Sequence, residues 1–139
     1  MSNLKVLHEL FERAGPLRDV WVARFEGNAN FVTEAKLSFD GVALVVAAGD
    51  LDTMAIRVGD PVKPENTTMH NVNVAAPWSA ALGLALRWGW ELTNHQGYAD
   101  GVRFEFADSD AGISVAIEVI VMASMLHVYR CEPSPRSAA

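Results

Sequence analysis

The chain opens with Leu4, Leu7, Leu10, Phe11 and Ala14 at helical spacing, separated by Lys5, Glu9, Glu12 and Arg13. That is the pattern of a surface helix with one buried stripe. Ser2 or Asn3 supplies a start cap and Gly15-Pro16 a stop, so the spacing predicts a helix over about residues 3–14. The period then falls to two. Across 17–26, Asp19, Trp21, Ala23 and Phe25 alternate with Arg18, Val20, Val22 and Arg24, and Gly27-Asn28-Ala29-Asn30 reads as a turn. Segment 31–39 sets Phe31, Thr33, Ala35, Leu37 and Phe39 against Val32, Glu34, Lys36 and Ser38, a half-solvated strand. Asp40-Gly41 is a two-residue hairpin signal, because both central residues of a type I′ turn take positive φ. Segment 42–48 is apolar on both faces and predicts a covered central strand, and 54–58 completes the run.

Residues 59–77 form the longest irregular stretch, with Pro61, Pro64 and Pro77 among polar residues; it reads as a functional or partly disordered loop or, alternatively, as a short edge strand through Val72-Asn73-Val74. A loop of this length in a compact domain is a natural place for binding. Pro77 suits the first turn of a second helix, Trp78 through Trp88, which is apolar around nearly its whole circumference and ends at Gly89. β-segments follow at Trp90–Thr93 and Val102–Phe106, then an apolar stretch from Ile113 to Tyr129 with a bulge or bend expected at Ala123-Ser124.

The fold class is therefore α+β: two helices on a largely antiparallel, strongly curved sheet. The organisation is one domain over 1–131 with a flexible tail over 132–139. Asp40-Gly41-Val42 and Asp100-Gly101-Val102 each open a β-segment, and Ala55-Ile56-Arg57-Val58 resembles Ala116-Ile117-Glu118-Val119. Two pseudo-repeated helix-plus-hairpin halves account for this, and so does chance likeness between hairpins.

Composition narrows the partners. The 139 residues are 50% hydrophobic and 20% charged, enough for a core without disulfide or metal staples. The net charge of −6 argues against nucleic acid and suits solubility or a basic partner surface. One cysteine, Cys131, precludes an internal disulfide. The N-terminus lacks signal-peptide character, and Glu118 interrupts the longest apolar run, so a cytoplasmic location and no membrane contact are expected.

Candidate chemistry is sparse. The densest polar cluster is 93–101, where His95 reads as a general base oriented by Asp100 or Glu105. The same residues also read as a hairpin loop satisfied by Asn, Asp and Gly, with Tyr98 anchoring it on the core. The histidines, His8, His70, His95 and His127, show no ligand spacing, so no metal site is expected. Asp108-Ser109-Asp110-Ala111-Gly112 has Val119 where a calcium loop needs Glu, and reads as a turn. Neither a phosphate-binding glycine motif nor a nucleophile elbow occurs, and no cofactor is expected. Asp50, Asp52, Asp60 and Glu65 make a candidate negative binding face, with His70 and Tyr98 as further contacts. Trp21, Trp78, Trp88 and Trp90 read as core packing or as one edge of a pocket or interface.

Residues 90–106, Trp-Glu-Leu-Thr-Asn-His-Gln-Gly-Tyr-Ala-Asp-Gly-Val-Arg-Phe-Glu-Phe, resemble a block in small uncharacterised bacterial domains of similar length. Those domains resemble, in size and acidity, the immunity proteins that neutralise bacterial toxins. The resemblance implies an inhibitor-like binding role and no catalytic residues. Three functional readings follow: a non-enzymatic module that binds a basic protein, a small hydrolase-like or ligand-binding enzyme using His95 with Asp100 or Glu105, and a homodimeric structural subunit joined through a strand edge near Val115 to Val121.

Overall fold

The computed structural model describes residues 2–62 and 65–133. Helix α1 (Asn3–Arg13) leads into β1 (Leu17–Phe25), β2 (Asn28–Phe39), β3 (Val42–Ala48), β4 (Met54–Val58) and β5 (Thr67–Asn71). A single turn, α2 (Trp78–Ala81), precedes β6 (Ala85–Thr93), β7 (Ala99–Asp108), β8 (Ile113–Met122) and β9 (Met125–Cys131). Every strand pairing is antiparallel. The expected single curved sheet is two sheets, ordered β4-β3-β2-β1-β5 and β6-β7-β8-β9. No helix of the described residues is long and apolar enough to cross a membrane.

One hydrophobic core joins the two sheets. Val20, Val22, Leu37, Leu44, Val46 and Ile56 from the first face Phe104, Phe106, Ile117 and Val119 from the second. Phe39 stacks on Phe106 across the gap, with ring centroids 6.4 Å apart. Each such side chain, fully buried, stabilises the fold by about 1.5–3 kcal/mol relative to exposure. Residues 102–106 show the logic: Val102, Phe104 and Phe106 point inward, while Arg103 and Glu105 take the opposite face.

Helix α1 packs against β4 and β6, the edge strands of the two sheets. Ser2 caps it, its side chain accepting from the Lys5 N–H at 3.2 Å. The buried stripe is Val6, Leu7 and Leu10, whereas Leu4 is 59% exposed, so the stripe is rotated from the expected one. The cause lies in Asn3, whose amide donates to the Met54 carbonyl at 2.9 Å and accepts from the Ile56 N–H at 3.2 Å. That side chain ties the helix to the β4 edge and satisfies backbone groups an edge strand otherwise leaves open.

The expected helix over Trp78–Trp88 is the largest departure. It stops after one turn because Leu82 is extended and Gly83 takes φ +82°, and from Ala85 the chain hydrogen-bonds to β7. An all-round apolar segment fits a strand covered on both faces as well as a buried helix, and periodicity alone does not separate them. Gly89 is consequently not a helix end. It lies inside β6, where a Cβ would stand 3.2 Å from a Leu7 methyl and 3.3 Å from the Phe11 ring. Glycine there lets α1 approach the strand.

The turns also separate expectation from geometry. At Asp40-Gly41 only Gly41 takes positive φ, so this is not the type I′ turn its sequence signals. Ala123 and Ser124 both do, at 52° and 64°, so the expected bulge is a tight hairpin between β8 and β9. Asp52 supports it, accepting the Ser124 N–H at 2.7 Å from across the fold. Asn28–Asn30 belongs to β2 rather than to a turn, and of the two readings of 59–77 an edge strand does form, at Thr67–Asn71 rather than at Val72–Val74. The sequence repeat is out of step: Asp40-Gly41 occupies a turn while Asp100-Gly101 lies inside β7. The proposed tail, 132–139, falls outside the described residues from 134 onward; Glu132 is held by Arg103.

Replacing Gly89 by Val is expected to destabilise the protein by about 1–3 kcal/mol through overpacking against α1. Urea unfolding followed by far-ultraviolet circular dichroism measures it, and an unchanged midpoint would show that α1 does not rest on β6.

Candidate functional site

The 93–101 cluster is a turn organised by Asn94. Its side-chain oxygen accepts from the Gln96 N–H at 2.9 Å and the Tyr98 N–H at 3.3 Å, and its amide donates to Asp100 at 3.3 Å. His95 is exposed and forms no hydrogen bond or ion pair with Asp100 or Glu105. Glu105 stands five residues further along β7 than Asp100, about 17 Å at strand rise. The three residues are therefore not gathered. Tyr98 does not anchor the loop in the core either, being 46% exposed.

The acidic set is likewise dispersed. Asp50 and Asp52 precede β4 at one edge of the five-stranded sheet, while Glu65 and the exposed His70 belong to β5 and its approach at the other. Asp60 pairs with Lys36 at 2.8 Å, and that ammonium holds its carboxyl below the usual carboxylate range. The Asp108–Gly112 segment is a turn, with the Asp108 carboxylate accepting from the Asp110 and Ala111 N–H groups at 3.0 and 3.2 Å. Among the described residues no three His, Cys, Asp or Glu side chains converge as a metal set.

What the fold does assemble is the outer face of the four-stranded sheet. Strand register lays three rows across it: Trp88, Glu105, Ala116 and Cys131; Trp90, Arg103, Glu118 and Tyr129; Leu92, Gly101, Ile120 and His127. Arg103 is the hub. One guanidinium nitrogen donates to Glu118 at 3.0 Å and to the Cys131 sulfur at 2.9 Å. The other lies 3.5 Å from Glu105 and donates to the Glu132 carbonyl. The guanidinium carbon sits 5.4 Å from the Trp90 ring centroid, a cation–π contact.

Glu105 is fully buried although it points away from the core, which explains why a guanidinium is placed beside it. Burial pushes the Cys131 thiol up, and the neighbouring carboxylates add to this while Arg103 opposes it. Around the hub, Trp88, Trp90 and Tyr129 are 36%, 37% and 45% exposed. The arrangement is a hydrogen-bonded polar lattice rimmed by partly exposed aromatic side chains.

Arg103 and Glu118 escaped the reading of candidate residues, yet a signal existed. Glu118 is a lone charge in an apolar β-segment and Arg103 stands with Glu105 between apolar positions, and such charges must find partners on the solvated face. The Val115–Val121 edge expected to dimerise is not free, because β8 lies between β7 and β9.

The molecule is thus a mixed α/β protein built on two packed antiparallel sheets. The chain belongs to a family of unknown function, DUF6334, whose model matches residues 8–134. No curated protein and no solved structure matches it.

A double-mutant cycle of Arg103→Met and Glu118→Gln is expected to show coupling of about 1–3 kcal/mol in chemical unfolding, since the pair shares one network. Strict additivity would remove the hub. Because the Cys131 thiol is raised, its alkylation by iodoacetamide should lag an ordinary exposed cysteine at pH 8 and rise only at higher pH. Equal rates at neutral pH would contradict the burial.

Proposed function

We propose that this protein is a non-enzymatic binding module that presents the outer face of its four-stranded sheet to a protein partner. The observation that carries this reading is the grouping of Trp88, Trp90 and Tyr129, all solvent-exposed, around the fixed guanidinium of Arg103. Trp, Tyr and Arg dominate the energetics of protein interfaces, because large rigid side chains bury much area at low entropic cost. A lattice fixed before binding loses less freedom on association.

Net charge indicates the kind of partner. At −6, the chain favours encounter with a basic surface, as an inhibitor of the immunity type would. Asp50, exposed on the turn before β4, contributes to that field without any contact in the aromatic face.

The test is a partner co-purified with the intact chain and measured by surface plasmon resonance. Trp88→Ser and Tyr129→Ser are each expected to weaken it by about 2 kcal/mol or more, mainly through faster dissociation. Asp50→Lys should slow association, and salt should weaken the complex in the same way. A complex indifferent to both aromatic substitutions would reject the face.

A further inference from the structure

The outer face of the five-stranded sheet differs from that of its neighbour. Strands β4 and β5 are parallel to one another at opposite edges of this sheet. Beyond β4, Gly59–Val62 turns onto the outer face and is fastened there. The Val62 N–H donates to Glu34 at 3.1 Å, Arg57 donates to the Asp60 carbonyl at 3.0 Å, and Lys36 pairs with the Asp60 carboxylate.

The bed beneath this strap is shaped by small residues. Register aligns Met69, Ala23, Glu34 and Ala47 in one row, and Asn71, Trp21, Lys36, Val45 and Arg57 in the next. Ala23 and Ala47 are buried although they lie outside the main core. Between strap and bed remains a cleft of about 310 Å³ lined by Trp21, Lys36, Pro61 and Met69.

The lining has the character of a small-molecule site, mostly apolar with one charged group to fix orientation. Trp21 is a preset wall: its indole N–H donates to Asp19 at 2.8 Å, which fixes the ring, and 37% of the residue is exposed. The Met69 thioether and the Pro61 ring complete an environment suited to an aromatic ring. Among the described residues Lys36 is the only charged one lining the cleft, and its partner Asp60 is 85% exposed on the side chain. Exposed ion pairs contribute little, so a ligand carboxylate competes readily with Asp60.

We infer that this cleft binds a small aromatic monocarboxylate, its ring against Trp21, Met69 and Pro61 and its carboxylate on the Lys36 ammonium in place of Asp60. The site is separate from the aromatic face of the other sheet and does not depend on the binding-module reading.

The test is a titration of the full chain with 2-naphthoate and, separately, with neutral 2-naphthamide, followed by ¹H–¹⁵N correlation spectra. The Trp21 indole resonance is assigned through Trp21→Phe. Naphthoate should shift that resonance saturably and bind about tenfold or more tightly than naphthamide. Lys36→Met should erase the difference, and Asp60→Asn should tighten naphthoate several-fold by removing the competing carboxylate. The wild-type comparison needs no variant, so a poorly folding substitution leaves the test intact. Equal affinity for the two probes, no saturable shift of Trp21, or shifts confined to Trp88 and Trp90 would each overturn the assignment.

Discussion

Two apolar sheet faces leave water only by closing on each other, and this constraint organises the molecule. Val20, Leu37, Leu44 and Val46 on one side and Phe104, Phe106, Ile117 and Val119 on the other have no other cover. Once they close, the open side between the edges of β4 and β6 must be sealed, and α1 does so. The seal explains several local features together. Asn3 bonds to the β4 backbone, Gly89 admits the helix against β6, and the buried stripe shifts from Leu4 to Val6.

The same closure leaves two outer faces, and the topology treats them differently. The five-stranded sheet carries part of its own cover, because Gly59–Val62 lies over its outer face and is pinned by Glu34, Lys36 and Arg57. The four-stranded sheet is an up-and-down meander whose turns lie at its ends, so no crossover shields it. Its outward residues must satisfy one another. Arg103 meets that need for Glu105, Glu118 and Cys131, and the aromatic rings beside it remain partly in solvent.

Much of the strand content was legible in period-two alternation or in short apolar runs. The alternating segment 17–26, the apolar run 42–48, the segment 54–58 and the inward set Val102, Phe104 and Phe106 follow from which side chains avoid water. Trp78–Trp88 misled because a segment with only Ser79 and Arg87 as polar positions has too little period to read, and its state was decided by the availability of β7 as a pairing partner. The candidate site was less legible. His95, Asp100 and Glu105 are neighbours in sequence, yet β7 carries Glu105 far from Asp100 at its start and from the turn that holds His95. Arg103, Glu118 and Cys131 lie apart in sequence and meet only through register.

By itself, then, the sequence determined the alternation of inward and outward positions, the first helix and its cap, and the absence of an internal disulfide, since each rests on single residues or their nearest neighbours. Tertiary structure decided the division into two sheets, the tight turn at Ala123-Ser124, and the assembly of the Arg103 lattice and the strapped cleft. Those depend on which strands lie side by side. Strand order is set by the joint burial of all the apolar faces, a property that no local window of residues contains.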